Sequence, residues 1–461
     1  MSKAAAAKAT GVDLLEGALF PKIIRFCIPV LLMHLLQTLY SAADMYVVGF
    51  SEVEGAIGSI GTTAPFTGFF ANSLIGFSLG ANVLVARYIG ARDQEKTSKA
   101  LHTAVAVSAA FGLINMTAGE LLARRILTLM GVEGHILDLA EKYVRIYFLA
   151  LPFLSLTNCF MAVFRAKGDT RTPLYVMTAS GLLNVILNFI FVLVFRCDVD
   201  GVAWATVISN VFSAAVLLTL LMKDKGWCHF SFSELTISKR SFRDILIIGL
   251  PSSVQSCLFA LSNMVIMSSI TKVNSLVCPG GSAVIDGNAA ANNMDSIMNA
   301  VNNAVCQAAS TFASQHLGAR KFDRLRKVRW DCLYASLLLC LSLALPIFLF
   351  RRPLVRLFVS DEAAIQAGIT KVNILVTTWI ISEFMDVHSA FLRGLGKSLL
   401  AAAYTLCGVI GVRVLWILFL FPHHQTLAFI YLSYPISWAF TAVFHYINVE
   451  RQLKKLPEAQ N

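Results

Sequence analysis

Apolar stretches of about twenty residues, the length of one membrane-spanning helix, recur from Phe26 to the last predicted helix, separated only by short polar joins. A segment in hydrocarbon must satisfy its own backbone polar groups, which only a helix or a closed barrel can do, and stretches this long and continuous specify helices. Composition agrees, since 57% of the 461 residues are hydrophobic and 14% charged, against roughly a quarter charged in an average soluble domain. Water is not the main solvent of such a chain. Its joins leave no room for a soluble catalytic domain.

Reading the apolar stretches between charge clusters predicts twelve spans, at 21–48, 55–86, 101–119, 140–164, 174–195, 201–222, 243–272, 286–315, 330–350, 368–392, 398–421 and 425–449. With the N-terminus inside, 27 Lys and Arg fall in inside segments, 10 in outside loops, and Arg413 within a span. Lys and Arg gather on the cytoplasmic side. Both termini of this multi-pass protein are therefore expected in the cytoplasm, and the membrane is expected to be the cell (inner or plasma) membrane. The net charge of +11 is explained by this sorting and calls for no nucleic-acid partner. The ten cysteines are scattered, with no C-x-x-C pair and no Cys/His cluster at ligand spacing, so they read as small buried hydrophobes, and no metal site follows from them. No small-residue cleavage site precedes the first span, which is expected to stay in the mature protein.

The chain also repeats itself. Ala81 to Arg92 reads ANVLVARYIGAR and Ala309 to Arg320 reads ASTFASQHLGAR, in register at an offset of 228 residues. The same offset carries Arg124 onto Arg352, Arg165 onto Arg393 and Gly168 onto Gly396. Six spans is an even number, so both halves insert with the same orientation. The expected layout is a tail at 1–20, a first lobe at 21–222, a linker at 223–242, a second lobe at 243–449 and a tail at 450–461, with a central cleft between the lobes. Two matched bundles that rock against each other suit alternating access better than they suit a channel, receptor or membrane enzyme.

Polar groups inside the spans are the candidate functional residues, because an Asp at mid-helix costs ~2.5 to 3.5 kcal/mol on insertion scales. Asp44 is the only acid within the first span, and Gln37, Tyr40, Ser41 and Asp44 fall at i, i+3, i+4 and i+7 on one face. Asn184 and Asn188 form an i, i+4 pair in the fifth span, and Asn158 lies deep in the fourth. These residues could frame one cavity in which burial disfavours a charged carboxylate and Asp44 takes up a proton. The plainer reading of the asparagines is interhelical hydrogen bonding.

In the second half Asn288, Asn292, Asp295, Asn299 and Asn302 line one face of the eighth span for about four turns. The offset places Ile60, Ala64, Thr67, Ala71 and Leu74 at the matching positions, so the stripe belongs to one half only. In the tenth span Glu383 and Asp386 share a face, with His388 close by. Three intramembrane acids would repel one another unless protonated or neutralised by a cation or by Arg413, the only base this reading leaves within a span. Asp295, Glu383 and Asp386, with Asn292, Asn299 and Gln255 of the seventh span, are thus candidates for a second cation or substrate site. The alternative is that Asp295 and Asp386 hydrogen-bond neighbouring helices while Glu383 sits near a wet end. Pro29 and Pro251 lie near the starts of the first and seventh spans, where a missing N–H permits a kink.

Several stretches together resemble the bacterial type of the multidrug and toxic compound extrusion (MATE) family: IPVLLMHLLQTLYSAADMYVVG (28–49), GANVLVARYIGAR (80–92), FRAKGDTRTPLYV (164–176), NVILN (184–188), GVAWAT (201–206), ASTFASQHLGARKFDR (309–324) and FLRGLG (391–396). The resemblance implies an all-α fold of twelve helices in two lobes in the bilayer, and a two-lobed monomer is sufficient for the mechanism. It implies antiport by alternating access, exporting amphipathic, often cationic drugs or metabolites against protons or sodium, with no cofactor beyond the coupling ion. In one branch of the family, positions matching Tyr40, Asp44, Asn158, Asn184 and Asn188 surround a buried carboxylate linked to coupling. That branch often has an acid where this chain has Asn188, which weakens the case for sodium at Asp44 and leaves protonation. Relatives that use sodium in the second half carry a Glu in the seventh span, where this chain offers Gln255, and their tenth-span Asp does not align cleanly with Glu383. A sodium ion near Asp295 is therefore not carried over from them. The main rival, a flippase for lipid-linked saccharides, would line its cavity with several bases to hold a pyrophosphate. A membrane enzyme finds no H-E-x-x-H, G-x-S-x-G or P-loop here, and no catalytic residues are expected.

Overall fold

The computed structural model describes residues 13–49 and 56–457. Parts of both expected tails, and Gly55 at the start of the second predicted span, lie outside the described residues. Among those residues the chain forms helices and no strands. In order they are α1 Leu19–Val48, α2 Ala56–Gly90, α3 Gln94–Leu129, α4 Gly134–Phe148, α5 Leu151–Ala166, α6 Arg171–Phe189, α7 Val199–Met222, α8 Lys239–Val277, α9 Ala283–Gly318, α10 Phe322–Leu349, α11 Arg351–Arg356, α12 Glu362–Gly394, α13 Ser398–Thr405, α14 Val412–Leu415 and α15 Leu427–Lys454. Ten rods are long and apolar enough to cross a membrane, and α4 with α5, meeting at 45°, makes an eleventh. The twelfth is α9, whose 36 residues are long enough but carry the Asn-rich stripe. The twelve predicted spans each find a rod. The largest difference is at α3, which extends well beyond the predicted 101–119 because its ends are amphipathic rather than apolar.

The 228-residue offset is written into the backbone. Shifted by it, α2 lands on 284–318, α3 on 322–357, the α4–α5 pair on 362–394 and α7 on 427–450, within a few residues of α9, α10 with α11, α12 and α15. Even the turns repeat: Arg92 and Arg320 both adopt positive φ, at 55° and 54°, as do Gly168 and Gly396, at 84° and 79°. One break in the symmetry has a local cause. Pro152 stands in the first turn of α5, where it cannot donate to the preceding turn, and the rod breaks there. Its repeat-mate is Ile380, and α12 runs through uninterrupted.

The chain divides into two compact units. The first holds Leu32–Cys257 with the described residues before Glu16; the second holds Glu16–Leu31 and the described residues from Leu258 on. Chain membership thus changes within α1, just after Pro29, and within α8, shortly after Pro251; both helices continue through their prolines. Inside the first unit, Phe66, Phe70 and Phe148 meet edge to face at 5.0 to 5.4 Å, and residues of the 223–242 linker pack on α3, where Phe230 stacks on His102 at 4.9 Å. The second unit is organised round α12, which packs against α9 and α15.

The α9–α12 contact is close enough to exclude a side chain, since a Cβ on Gly287 would lie 2.1 Å from the Ala364 carbonyl oxygen. Overpacking of this kind costs about 1–3 kcal/mol. Gly287→Ala is therefore expected to lower the thermal unfolding midpoint of the purified protein, whereas Gly58→Ala, with nothing within 4 Å of the added carbon, is expected to leave it unchanged or raise it.

Candidate functional site

Two polar constellations stand out, one in each unit. In the first, α1 presents Asp44 and α6 presents Asn188, whose amide nitrogen donates to Asp44 Oδ1 at 2.5 Å. The same nitrogen is 3.3 Å from Asn184 Oδ1, and Asn184 in turn donates to Ser209 Oγ on α7 at 3.4 Å. The i, i+4 spacing of the two asparagines makes this relay, because one turn of helix stacks them. Tyr40, one turn before Asp44, donates to the Thr178 carbonyl at 3.3 Å and lays its ring where Gly181 has no side chain. Asn158 is buried but spends its amide on Leu154 of its own helix, so it joins the group by position and not by a hydrogen bond. Ser41 likewise bonds back to Gln37. Tyr143 and Tyr147 of α4 lie close enough to feel the charge of Asp44, a contribution that the first-span pattern does not reveal.

For a hard cation this site offers few oxygens. The Asp44 carboxylate and the buried Oδ1 of Asn188, which accepts no hydrogen bond, fall short of the six or more that calcium takes or the octahedral set that magnesium demands. A proton needs only one of them. Among the described residues no group of three or more His, Cys, Asp and Glu is arranged to hold a metal ion.

In the second unit the three acids part company. Asp386 accepts from Asn302 at 2.6 Å and from Ser382 at 3.4 Å. Glu383 is buried and accepts from Ser336 of α10. Asp295 is half-buried and lies within electrostatic reach of Lys371, Arg413 and Tyr434. Asn292 is exposed and accepts from Lys371, while Asn288 is buried and accepts from the Tyr431 hydroxyl at 3.0 Å. Asn299 is exposed and bonds back to Asp295 of its own helix. Gln255 is buried in the stretch of α8 that belongs to the other unit. His388 donates to the Phe384 carbonyl at 2.7 Å.

Arg413 is not the only base inside the spans. Lys371, which the sequence reading leaves unremarked near the edge of the tenth span, is buried on α12 with 4% of its surface exposed, as is Arg413. The edge of an apolar stretch says little about burial, because the neighbouring rods decide it. The helix that carries Arg413 is also irregular: π-helical runs at Leu406–Gly411 and Trp416–Leu420 bracket α14. In the first half, among the described residues, a single π-helical run, Ile190–Val194, begins two residues after Asn188. Such widened turns are frequent at functional sites.

The repeat sorts these contacts. Ser209 and Ser437 are mates, and each receives a polar group from the fifth rod of its half, Asn184 in one case and the Nε of Arg413 at 3.1 Å in the other. Ser155 and Ser108 are the mates of Glu383 and Ser336, and they too are bonded, Ser155 Oγ donating to the Ser108 carbonyl at 2.7 Å. Glu383 thus occupies a place where the first half uses a serine to join two helices.

A family model described as MatE matches residues 29–190 and 251–418, one segment in each half. The probable multidrug resistance protein YoeA of Bacillus subtilis (strain 168) is 24% identical over 430 residues, 91% of each chain. The multidrug export protein MepA of Staphylococcus aureus (strain bovine RF122 / ET3-1) is 22% identical over 404 residues, 87% of this chain and 88% of its own. Among solved structures, an outward-facing multidrug resistance MATE family transporter of the MOP superfamily has the same fold, with a TM-score of 0.86 at 21% identity over 97% of this chain and 98% of that one.

Removing a hydrogen-bond partner so that a buried group is left unpaired costs about 1–3 kcal/mol. Asp386→Ala strands the Asn302 amide and is expected to lower the thermal unfolding midpoint. Glu383→Gln still accepts from Ser336 and is expected to stay within a degree or two of the parent.

Proposed function

The chain belongs to the MatE family, whose members are multidrug efflux transporters, and on that premise we propose that it is a secondary active exporter of small amphipathic compounds, driven by protons that bind Asp44. The observation that carries this reading is the 2.5 Å contact between Asp44 and the Asn188 amide. A hydrogen bond to a charged group is worth about 1.5–3 kcal/mol, and protonation of the carboxylate discharges it. One unit of pH gradient supplies about 1.4 kcal/mol per proton. The driving force and the bond it weakens are therefore of the same order.

Coupling then follows the helix. Asp44 and Pro29 share α1, whose earlier part belongs to the second unit and whose later part belongs to the first. Loss of the Asp44–Asn188 bond frees the later part of α1 from α6, and the proline, lacking one backbone bond, is where the helix can bend in response. Pro251 gives α8 the same freedom near its own change of unit. Alternating access by the two halves of the repeat completes the cycle, with both termini in the cytoplasm and the protein in the cell membrane. Sodium is the less favoured ion because the Asp44 site holds a single carboxylate.

In liposomes carrying the purified protein, an imposed pH gradient is expected to drive ethidium uphill, a sodium gradient is expected to leave it unmoved, and Asp44→Asn is expected to abolish the pH response. Transport driven by sodium alone would replace the proton in this scheme, and no transport under either gradient would end it.

A further inference from the structure

A hollow of about 460 Å³ opens near the start of α10, lined by Arg326, Lys327, Trp330, Asp331 and Tyr334. Their spacing of i, i+1, i+4, i+5 and i+8 puts them on one helical face. Lys327, Trp330 and Tyr334 are exposed. The acid among them is not: Asp331 is 8% exposed, and its Oδ2 accepts no hydrogen bond among the described residues. Lys327 stands one turn away and within electrostatic reach, yet the two side chains do not close into an ion pair within 4.0 Å. Arg326 lies 3.9 Å from Asp323 on the exposed surface. Arg329 is ion-paired with Glu450 of α15 at 2.6 Å, and its guanidinium, 4.7 Å from the Trp330 ring, supports that wall of the hollow. A base and an acid thus border one space without meeting, although a buried carboxylate is normally paired.

The hollow has the position of a membrane edge. The predicted span opens at Trp330, and the charges of Arg326, Lys327 and Arg329 precede it. Trp and Tyr concentrate at this depth, and bases there reach lipid phosphates. Past Tyr334 the same face runs on as Leu338, Leu341 and Leu345, all exposed. From Tyr334 to Leu345 this apolar strip is roughly 16 Å long, close to the ~15 Å of hydrocarbon in one leaflet. Charges of both signs at the head of such a strip fit one kind of molecule, a lipid with both signs in its head group.

We propose that this hollow binds a single phospholipid whose head group carries a primary ammonium, as phosphatidylethanolamine does. Lys327, with Arg326 beside it, takes the phosphate; Asp331 accepts from the ammonium; and an acyl chain lies along Leu338, Leu341 and Leu345. A half-turn of the carboxylate about its Cβ–Cγ bond brings either oxygen forward, so the ammonium completes the pairing that Asp331 lacks. The choice of head group follows from that acid. A choline ammonium has no N–H to donate, a glycerol head group has hydroxyls but no positive charge, and free phosphorylethanolamine leaves the leucine strip bare. The site is independent of the coupling scheme at Asp44 and of the compound transported.

The test reads Trp330 itself, as the fluorescence lost in Trp330→Phe, with the full-length protein in nanodiscs of equal parts phosphatidylethanolamine and phosphatidylcholine. One lipid at a time carries brominated acyl chains, which quench a tryptophan they touch. The ethanolamine lipid is expected to occupy the hollow about tenfold more often, the worth of one charge-assisted hydrogen bond, so that Trp330 is quenched when that lipid is brominated and barely when the choline lipid is. Asp331→Asn is expected to make the two quench alike, and Asp331→Glu to restore the difference. Equal quenching by the two lipids in the parent protein overturns the proposal without any variant, and so does a preference that survives Asp331→Asn. Phosphatidylglycerol that quenches as well as phosphatidylethanolamine in the same design overturns the ammonium assignment. Relief of quenching by dissolved phosphorylethanolamine would assign the site to a soluble phosphate compound and overturn the lipid.

Discussion

A charge inside a membrane-spanning bundle has no water to fall back on, and each one must be held by a dipole, an opposite charge or a bound ligand. The interior of this protein is arranged by that constraint. Asp44 rests on the amide of Asn188, Asp386 on the amide of Asn302, and Glu383 on the hydroxyl of Ser336. Amides and hydroxyls fit such places because they can hold a carboxylate without adding a charge of their own, which leaves its protonation free to change. Lys371 and Arg413 hydrogen-bond neutral groups and lie over aromatic faces, with Asp295 within electrostatic reach of both and Asp386 within reach of Arg413.

The two halves meet the constraint with one framework and different occupants. The framework is the set of serines and turns that recur at 228 residues: Ser209 with Ser437, Ser108 with Ser336, Arg92 with Arg320 and Gly168 with Gly396. The occupants differ at matched positions. Asn158 is answered by Asp386, Ser155 by Glu383, and Tyr143, which feels the charge of Asp44, by Lys371, which feels that of Asp295. A duplicated scaffold kept its helix contacts and exchanged its charges, so that one half presents an isolated acid and the other a mixed group of acids and bases.

Much of this was legible in the sequence, for reasons that can be named. Apolar length gave the rods, and the in-register motif at Ala81 and Ala309 gave the repeat, because both signals are local and survive divergence. The Asp44 site was legible because helical spacing puts Tyr40 and Asp44 on one face and stacks Asn184 on Asn188. Spacing alone did not tell which neighbour each acid would choose: Glu383 and Asp386 share a face at i, i+3, yet one turns to α10 and the other to α9. Lys371 was missed because burial near the end of a span depends on the rods around it. The break at Pro152 was readable in principle, and the π-helical runs around Arg413 were not, since nothing in Leu406–Gly411 distinguishes a widened turn from an ordinary one.

The central claim is that the coupling proton binds in the first half, at Asp44. Counterflow measures it most directly, because exchange of labelled for unlabelled substrate across a liposome membrane needs binding and alternation but no ion gradient. The account predicts that Asp44→Asn, which has lost uphill transport, still exchanges ethidium at a rate comparable with the parent. Collapse of exchange together with uphill transport would show that Asp44 serves substrate binding or alternation itself, and would contradict its assignment to coupling.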